Sequence, residues 1–209
     1  EAMRQIYLDK IKMNENKVVT LYGGVDTDYF KHTTEGRAKV RSEFGFKDDE
    51  CVLGILARFD VIKGHDSLFQ AVSELYREGM TNIRLLVAGT DFGMKKADIE
   101  ALISKHGIGS ITKLTGKRDD VVDVINAMDL GVMPSLGSEA INRVGMEMLS
   151  CGVPVIGSDI GVIPEILPAS NIFQAGNVEE IKRCIRDYKN YQKRYSYIDF
   201  AEQFLSVTR

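Results

Sequence analysis

Short apolar runs alternate with amphipathic segments along most of this chain. Six runs of five to seven residues are rich in apolar side chains, several of them β-branched on consecutive positions. Such runs are typical of strands that are buried on both faces of a sheet. They predict strands over 18–22, 51–57, 83–89, 111–116, 130–135 and 153–158, and residues 171–176 are a candidate seventh strand.

Between these runs, apolar residues recur three and four positions apart. Leu68, Ala71, Val72 and Leu75 follow this spacing, which places them on one face of a helix. Strands that alternate with helices form βαβ units, so the sequence predicts a doubly wound α/β domain with a parallel sheet. The same spacing predicts further helices over 121–128, 141–149 and 178–188.

The two ends of the chain lie outside this alternation. Residues 1–17 are charged throughout and predict a peripheral helix, and residues 191–209 predict a second one. The α/β domain is therefore expected to span residues 18–190.

Composition narrows the class of protein. The 209 residues are 44% apolar and 27% charged with a net charge of −3, which is ordinary for a globular protein and argues against broad nucleic-acid binding. No apolar stretch approaches the roughly 20 residues of a spanning helix. Cys51, Cys151 and Cys184 have spacings typical of neither a metal site nor a disulfide framework, so we expect buried thiols and a cytoplasmic protein.

The loops after the predicted strands are the expected ligand site, because open parallel sheets bind ligands at the carboxyl ends of their strands. Arg58 and Lys63 flank one such loop, which leads into a helix. Two cations and a helix N-terminus suit a diphosphate without a metal. The alternative is two solvated surface cations. Gly23 and Gly24 follow the first predicted strand, where a plain turn is the simpler interpretation.

Glu139 and Glu147 follow the fifth predicted strand and are separated by seven residues. Such a pair is too far apart for joint acid–base chemistry, because the spacing corresponds to roughly 12 Å of helical rise. Two acids at this distance suit an elongated ligand such as a nucleotide sugar. The alternatives are an ion pair of Glu147 with Arg143 and an acidic residue near a helix N-terminus for Glu139.

Several common site motifs are absent from the sequence. No GxGxxG follows a strand, no GxxxxGK[ST] or GxSxG occurs, and no cluster has clear metal-ligand spacing.

Five stretches together resemble one family. They are the E-x7-E motif of Glu139 and Glu147, the following "MLSCGVPVIGSDIGVIPEIL", the upstream "ARFDVIKGHDSLFQAV" and "YGGVDTDYF", and "KLTGKRDDVVDVINAMDLGVMPS". Taken in the order in which they occur along the chain, they are similar to the C-terminal, donor-binding domain of retaining glycosyltransferases of family 4, the glycosyl transferases group 1 type. The resemblance runs from about residue 18 to about residue 188.

The resemblance implies one Rossmann-like half of a GT-B fold, with about six parallel strands and helices on both faces. It implies a UDP-, GDP- or ADP-linked sugar as donor and no essential metal or other cofactor. The implied catalytic residues are Arg58, Lys63 and Glu139, with the two cations on the diphosphate and Glu139 on the sugar. The implied donor-binding residues are Gly24 at the cleft floor, Gly116, Lys117 and Arg118 beside the base, Asn142, Arg143 and Val144 at the helix start, and Glu147 on the ribose.

An acceptor, a saccharide or a lipid-linked one, is expected to bind mainly to an N-terminal domain that this chain lacks. The parent is then expected to be a hexosyltransferase of polysaccharide, lipopolysaccharide or glycolipid synthesis. The resemblance leaves open whether the parent associates peripherally with a membrane. The fragment alone is expected to be inactive. Ala140 and Asn142 stand where the family has glycines. This departure keeps two alternatives open: a non-catalytic nucleotide-binding or interaction module, and a GT-B epimerase or phosphorylase.

Overall fold

One parallel sheet flanked by helices forms the framework of the chain. The structure is a computed structural model that describes residues 1–21 and 23–191. The strands are β1 (Cys51–Leu56), β2 (Ile83–Ala88), β3 (Thr112–Leu114), β4 (Leu130–Met133), β5 (Val155–Ser158) and β6 (Ile172–Phe173). The helices are α1 (Ala2–Lys10), α2 (Thr34–Phe44), α3 (His65–Arg77), α4 (Lys96–Lys105), α5 (Val121–Asn126), α6 (Arg143–Ser150), α7 (Ile163–Ile166) and α8 (Val178–Tyr191).

The strand order is β3-β2-β1-β4-β5-β6, and every neighbouring pair is parallel. The chain winds outward from β1 in one direction and from β4 in the other. The order therefore reverses between these two central strands, where Leu53 lies opposite Leu130 and Gly54 opposite Gly131. A crevice forms at such a reversal, at the carboxyl ends of the strands. The predicted Rossmann-like α/β fold is confirmed.

The sheet separates two apolar layers. Leu53 and Ile55 of β1 pack on one face with α3, α4 and α8, whereas Val52 packs on the other with α2, α5, α6 and α7. This alternation follows from the two-residue period of a strand. Burial of each such aliphatic side chain contributes about 1.5–3 kcal/mol, so both layers stabilise the packing of the helices on the sheet.

One predicted strand is wrong. Residues 18–21 are not part of the sheet, and Val19 and Leu21 are 79% and 90% exposed. Their apolar pattern matches a strand, but within residues 1–21 and 23–191 their backbone groups pair with no strand of the sheet. The candidate at 171–176 contributes the sixth strand instead, as the two-residue β6.

The ends of the predicted helices also shift. α6 begins at Arg143 rather than at residue 141, because Asn142 adopts a left-handed conformation that a helix cannot contain. Ile141, which the pattern placed on the buried stripe, is 50% exposed. The predicted N-terminal helix is shorter and comprises α1 and a 3-10 turn, Glu15–Lys17. The helix predicted over 191–209 lies outside the described residues, apart from Tyr191 at the end of α8.

The three cysteines are buried thiols, as expected from their surroundings. Within residues 1–21 and 23–191, no helix combines the length and apolarity that crossing a membrane requires.

Asp129 anchors the central strands at the end of the sheet opposite the crevice. Its carboxylate accepts hydrogen bonds from Arg37 Nη2 at 2.7 Å, Arg41 Nη1 at 3.1 Å and the backbone N–H of Val52 at 2.8 Å. The guanidinium of Arg41 is buried and also donates to backbone carbonyls. A single acid therefore ties α2 to the beginning of β1 and β4.

We expect Asp129→Ala to lower the free energy of unfolding by about 3–5 kcal/mol, because it leaves the buried Arg41 without its counter-charge. Urea denaturation measures the difference. Asp119→Ala is the control, since Asp119 is 93% exposed and its ion pair with Lys117 is a surface contact. A loss below 1 kcal/mol for Asp129→Ala would contradict the role assigned to this network.

Candidate active site

Two adjoining clefts open at the carboxyl ends of the central strands, at the reversal of strand order. We call them the Glu139 cleft, of about 440 Å³, and the Glu147 cleft, of about 280 Å³. Arg58 and Val144 line both. The Glu139 cleft is also lined by Lys63, Ser135, Glu139, Ala140, Asn142 and Arg143. The Glu147 cleft is also lined by Thr90, Lys117, Arg118, Val121, Val124 and Glu147.

The loop after β1 carries Lys63 to the loop after β4. Gly64 follows Lys63 with φ +69°, and a Cβ on it would lie 1.8 Å from the carbonyl oxygen of Pro134. The two loops are joined by a hydrogen bond from Leu136 N to Ile62 O at 2.7 Å. Only a glycine permits this approach, and it brings the ammonium of Lys63 into contact with Glu139.

The carboxylate of Glu139 is almost fully buried, with 8% of its side chain exposed. Its Oε1 contacts Lys63 Nζ and accepts a hydrogen bond from Ser135 Oγ at 2.5 Å. Its Oε2 accepts one from Asn142 Nδ2 at 3.1 Å. A buried charge is tolerated only when it is paired and hydrogen-bonded, and Glu139 meets both conditions. Glu139 is therefore fixed in place rather than solvated.

The backbone of Glu139 is fixed by the loop after β5. The N–H of Val162 donates to Glu139 O at 2.9 Å. Gly161 has φ +59°, and a Cβ on it would lie 2.0 Å from the same carbonyl oxygen. Three strand-end loops, after β1, β4 and β5, thus meet around one acidic residue.

Arg58 separates the two clefts. Its guanidinium lies 4.0 Å from the ring centroid of Phe92, and its Nε is 3.7 Å from Asp60 Oδ2. The side chain is 41% exposed. Phe92 belongs to the loop after β2, which is hydrogen-bonded to the β1 loop from Phe59 N to Thr90 O at 2.7 Å. An aromatic face behind a cation favours one orientation of the guanidinium.

Glu147 is half-buried in its cleft, and burial raises the pKa of its carboxyl, while the charge of Arg143 opposes the shift. The ion pair with Arg143 that the sequence left open is not formed: among the described residues, no cationic nitrogen lies within 4.0 Å of Glu147. The carboxylate therefore faces the cleft without a strong protein partner, unlike Glu139.

Arg118 is held by ion pairs with two acidic residues of the protein. Its guanidinium makes paired hydrogen bonds to Glu43 at 2.6 and 2.8 Å and to Asp120 at 2.8 Å, and these raise its pKa. Lys117 beside it is exposed and pairs with Asp119 at 3.3 Å. Arg118 therefore fixes this loop beside the Glu147 cleft.

His65 begins α3 next to Lys63 but has no part in proton transfer at the clefts. Its ring is buried between Phe59 and Phe69, at 6.0 Å from each ring centroid. Burial lowers its pKa to about 4, so the imidazole is neutral at pH 7.

Two predicted site residues, Gly24 and Gly116, lie outside the linings of both clefts. The other nine line one or both. Sequence reasoning did not single out Ser135, Gly64 or Gly161, although the last two stand in the "KG" and "SDIG" stretches of the family pattern. Ser135 could have been found only from its position at the end of a predicted strand. Within the described part of the chain, no group of three or more His, Cys, Asp and Glu side chains is arranged to hold a metal ion.

The chain is a Rossmann-like α/β domain whose two clefts carry cations and separate acids at the strand reversal, where open parallel sheets bind their ligands. The model of the family "Glycosyl transferases group 1" matches residues 50–189, and the chain belongs to this family.

Relatives agree with this assignment. The chain is 30% identical over 156 residues to "D-inositol 3-phosphate glycosyltransferase" of Mycolicibacterium smegmatis, which covers 72% of this chain and 34% of that protein. The fold is similar to a glycosyltransferase from Rickettsia africae ESF-5, with a TM-score of 0.82, 20% identity and coverage of 99% of this chain and 60% of that one. The fold is also similar to that of Anabaena HepE in complex with UDP and glucose, with a TM-score of 0.77 and 20% identity. This match covers 98% of this chain and 60% of that one. The chain thus spans about a third of the curated relative.

We expect Gly161→Ala to destabilise the chain more than Gly152→Ala. Both glycines have positive φ, which costs roughly 1–2 kcal/mol for an alanine. A Cβ at Gly152 meets nothing within 4 Å, whereas one at Gly161 collides with the carbonyl of Glu139. Thermal unfolding of the two variants isolates this collision, and equal melting temperatures would contradict it.

We expect Glu147→Gln to raise the free energy of unfolding at pH 7. The folded state holds the proton of Glu147 more tightly than the unfolded chain does, so ionisation above pH 4.5 penalises the folded state. The gain should shrink as the pH falls through the raised pKa and vanish below 4.5. Urea titrations across pH 3.5–8 measure it, the range being chosen to bracket the ordinary carboxyl pKa of about 4.3. A Gln variant less stable than the parent at pH 7 would mean that Glu147 makes a stabilising ionic contact.

Proposed function

We propose that this chain is the donor-binding half of a retaining glycosyltransferase that transfers a hexose from a nucleotide sugar to an acceptor. The proposal rests on one observation: Arg58, Lys63, Glu139 and Glu147 line two adjoining clefts at the reversal of strand order. Neither surface cations nor solvated acids would converge there. The E-x7-E spacing accounts for the separation, because each acid then faces its own cleft.

The diphosphate of the donor lies between the clefts, on Arg58, Lys63 and the first turn of α6. The first backbone N–H groups of a helix have no partner within it and attract anions. Arg58 presents a planar pair of donors, and Lys63 presents a point charge. During transfer these charges stabilise the negative charge that develops on the leaving nucleotide, without a metal.

The nucleoside occupies the Glu147 cleft. Its ribose hydroxyls donate to the carboxylate of Glu147, which within the described residues has no cationic nitrogen within 4.0 Å to compete for its lone pairs. Its base lies against the apolar wall of Val121, Val124 and Val144 and beside the backbone of the Lys117–Arg118 loop. Because ribose hydroxyls favour the ionised carboxylate, donor binding should lower the pKa that burial has raised.

The sugar occupies the Glu139 cleft, where Ala140 and Asn142 replace the glycines that the family resemblance predicts. These side chains narrow the space beside Glu139 and so select among sugars. The same departure motivates the second candidate, a non-catalytic nucleotide-binding module. The paired, buried state of Glu139 favours the transferase, because a module without transfer has no need of a carboxylate fixed beside the phosphate cation.

The acceptor, a saccharide or a lipid-linked one, binds mainly to a further N-terminal domain in the longer protein. The limited coverage of the relatives supports this division, since this chain corresponds to 34% of the M. smegmatis protein. We further propose a cytoplasmic parent in polysaccharide, lipopolysaccharide or glycolipid synthesis. The isolated chain should then bind donor and transfer nothing.

Calorimetry with UDP, GDP and ADP tests the proposal, with UDP first because the similar Anabaena structure contains it. We expect one nucleoside diphosphate to bind. Lys63→Met and Arg58→Met should each weaken it by about tenfold to a hundredfold, the contribution of one hydrogen bond to a charged group. Binding of the matching monophosphate should change less.

Lys113→Met is the matched control, because Lys113 is exposed on the edge strand β3 and lies outside both clefts. Lys63→Met also removes the partner of the buried Glu139, so its melting temperature is measured alongside; Arg58→Met removes no such partner. The proposal would be contradicted if Lys113→Met weakened binding as much as Arg58→Met does. It would also be contradicted if none of the three nucleotides bound.

A further inference from the structure

Asn142 occupies a backbone position that favours glycine. It lies at φ 49° and ψ 59°, in the left-handed region. Asparagine is among the few residues other than glycine that adopt this conformation readily. Asn142 therefore keeps the chain path that a glycine would give, and it adds a side chain inside the Glu139 cleft.

The oxygen and the nitrogen of the Asn142 amide both make hydrogen bonds within the protein. Oδ1 accepts a hydrogen bond from the N–H of Gly145 at 2.9 Å and caps α6, while Nδ2 donates to Glu139 Oε2 at 3.1 Å. The reversed amide would set oxygen against carboxylate and NH2 against N–H, so these contacts fix its orientation. Gly145 leaves room for it, since a Cβ there would lie 2.6 Å from Oδ1.

Glu139 is left with little capacity for further hydrogen bonds. A carboxylate has about four acceptor positions. Lys63 and Ser135 occupy those of Oε1, and Asn142 occupies one of Oε2. Within the described part of the chain, one position on Oε2 remains open.

We propose that Asn142 is a positioning residue that aims this remaining acceptor of Glu139 at a single hydroxyl of the donor sugar. The proposal rests on the proposed function. Asn142 binds the oxygen that Lys63 does not contact. The carboxylate thus keeps a fixed partner when the donor diphosphate draws Lys63 away. By the same bond, sugar recognition is coupled to the N-terminus of α6, where the phosphates lie.

Two variants separate positioning from capping. Asn142→Gly keeps the backbone conformation, and a glycine cap costs only a few tenths of a kcal/mol relative to asparagine. Asn142→Asp keeps the cap and the shape but turns the donor facing Glu139 into a second acceptor. The readout is the ratio of the affinities for UDP-glucose and UDP, because the shared diphosphate largely cancels charge effects on phosphate binding. If UDP does not bind and GDP or ADP does, the corresponding glucose pair is used.

We expect the parent chain to bind the nucleotide sugar more tightly than the nucleotide. Asn142→Gly should lower this ratio by about tenfold, because the sugar loses the acceptor that Asn142 orients. Any effect of the variant on the nucleotide affinity itself divides out of the ratio. Asn142→Asp should lower it as well, because its carboxylate accepts hydrogen bonds and cannot donate one to Glu139.

An unchanged ratio in both variants would reduce Asn142 to a helix cap and overturn its positioning role. A parent chain that binds the nucleotide but gains nothing from the sugar would overturn that role while leaving the donor site intact. Absence of nucleotide binding by the parent chain would instead overturn the proposed function, and with it the role of Asn142.

Discussion

The ion pair between Lys63 and Glu139 is the contact on which the rest of the site depends. It forms between residues 76 positions apart because the loops after β1 and β4 approach each other at the strand reversal. That approach requires Gly64, which lies against the carbonyl of Pro134 in the loop after β4. Gly161, in the loop after β5, packs in the same way against the carbonyl of Glu139. The pair is buried, so its members must be supplied with further hydrogen bonds, and Ser135 and Asn142 provide them.

The carboxyl groups of the two glutamates in the E-x7-E spacing have different electrostatic surroundings. Glu139 is buried and contacts a cation and two hydrogen-bond donors, so its orientation is fixed by the protein itself. Glu147 is half-buried without such compensation, and its pKa is raised. The first arrangement holds a carboxylate in one orientation, whereas the second leaves a desolvated carboxylate that no strong partner among the described residues compensates. One spacing thus places two glutamates in two different environments.

The sequence predicted the fold class from the alternation of buried runs and apolar stripes, because both periods follow from local geometry. It failed for the strand predicted over 18–22: residues 18–21 have the pattern of a strand but pair with no strand of the described part of the chain. Pairing is a property of the whole sheet and is not encoded in a local pattern. Nine of the eleven predicted site residues line the two clefts, since the strand-end rule locates loops well. The partners of those residues, such as Ser135 beside Glu139 and Phe92 behind Arg58, depend on how loops meet, which spacing does not encode.

The substitution of asparagine for an expected glycine illustrates the difference between a backbone and a side-chain constraint. At Asn142 the backbone needs a left-handed residue, and asparagine satisfies that need at small cost. At Gly64 and Gly161 the same conformation coincides with a carbonyl oxygen within 2.0 Å of the missing Cβ, so no side chain fits. Of these three positions only that of Asn142 accommodates a side chain, and this side chain reaches the buried carboxylate of Glu139. Packing at the other two positions excludes a side chain and so preserves the approach of the loops that fixes Glu139.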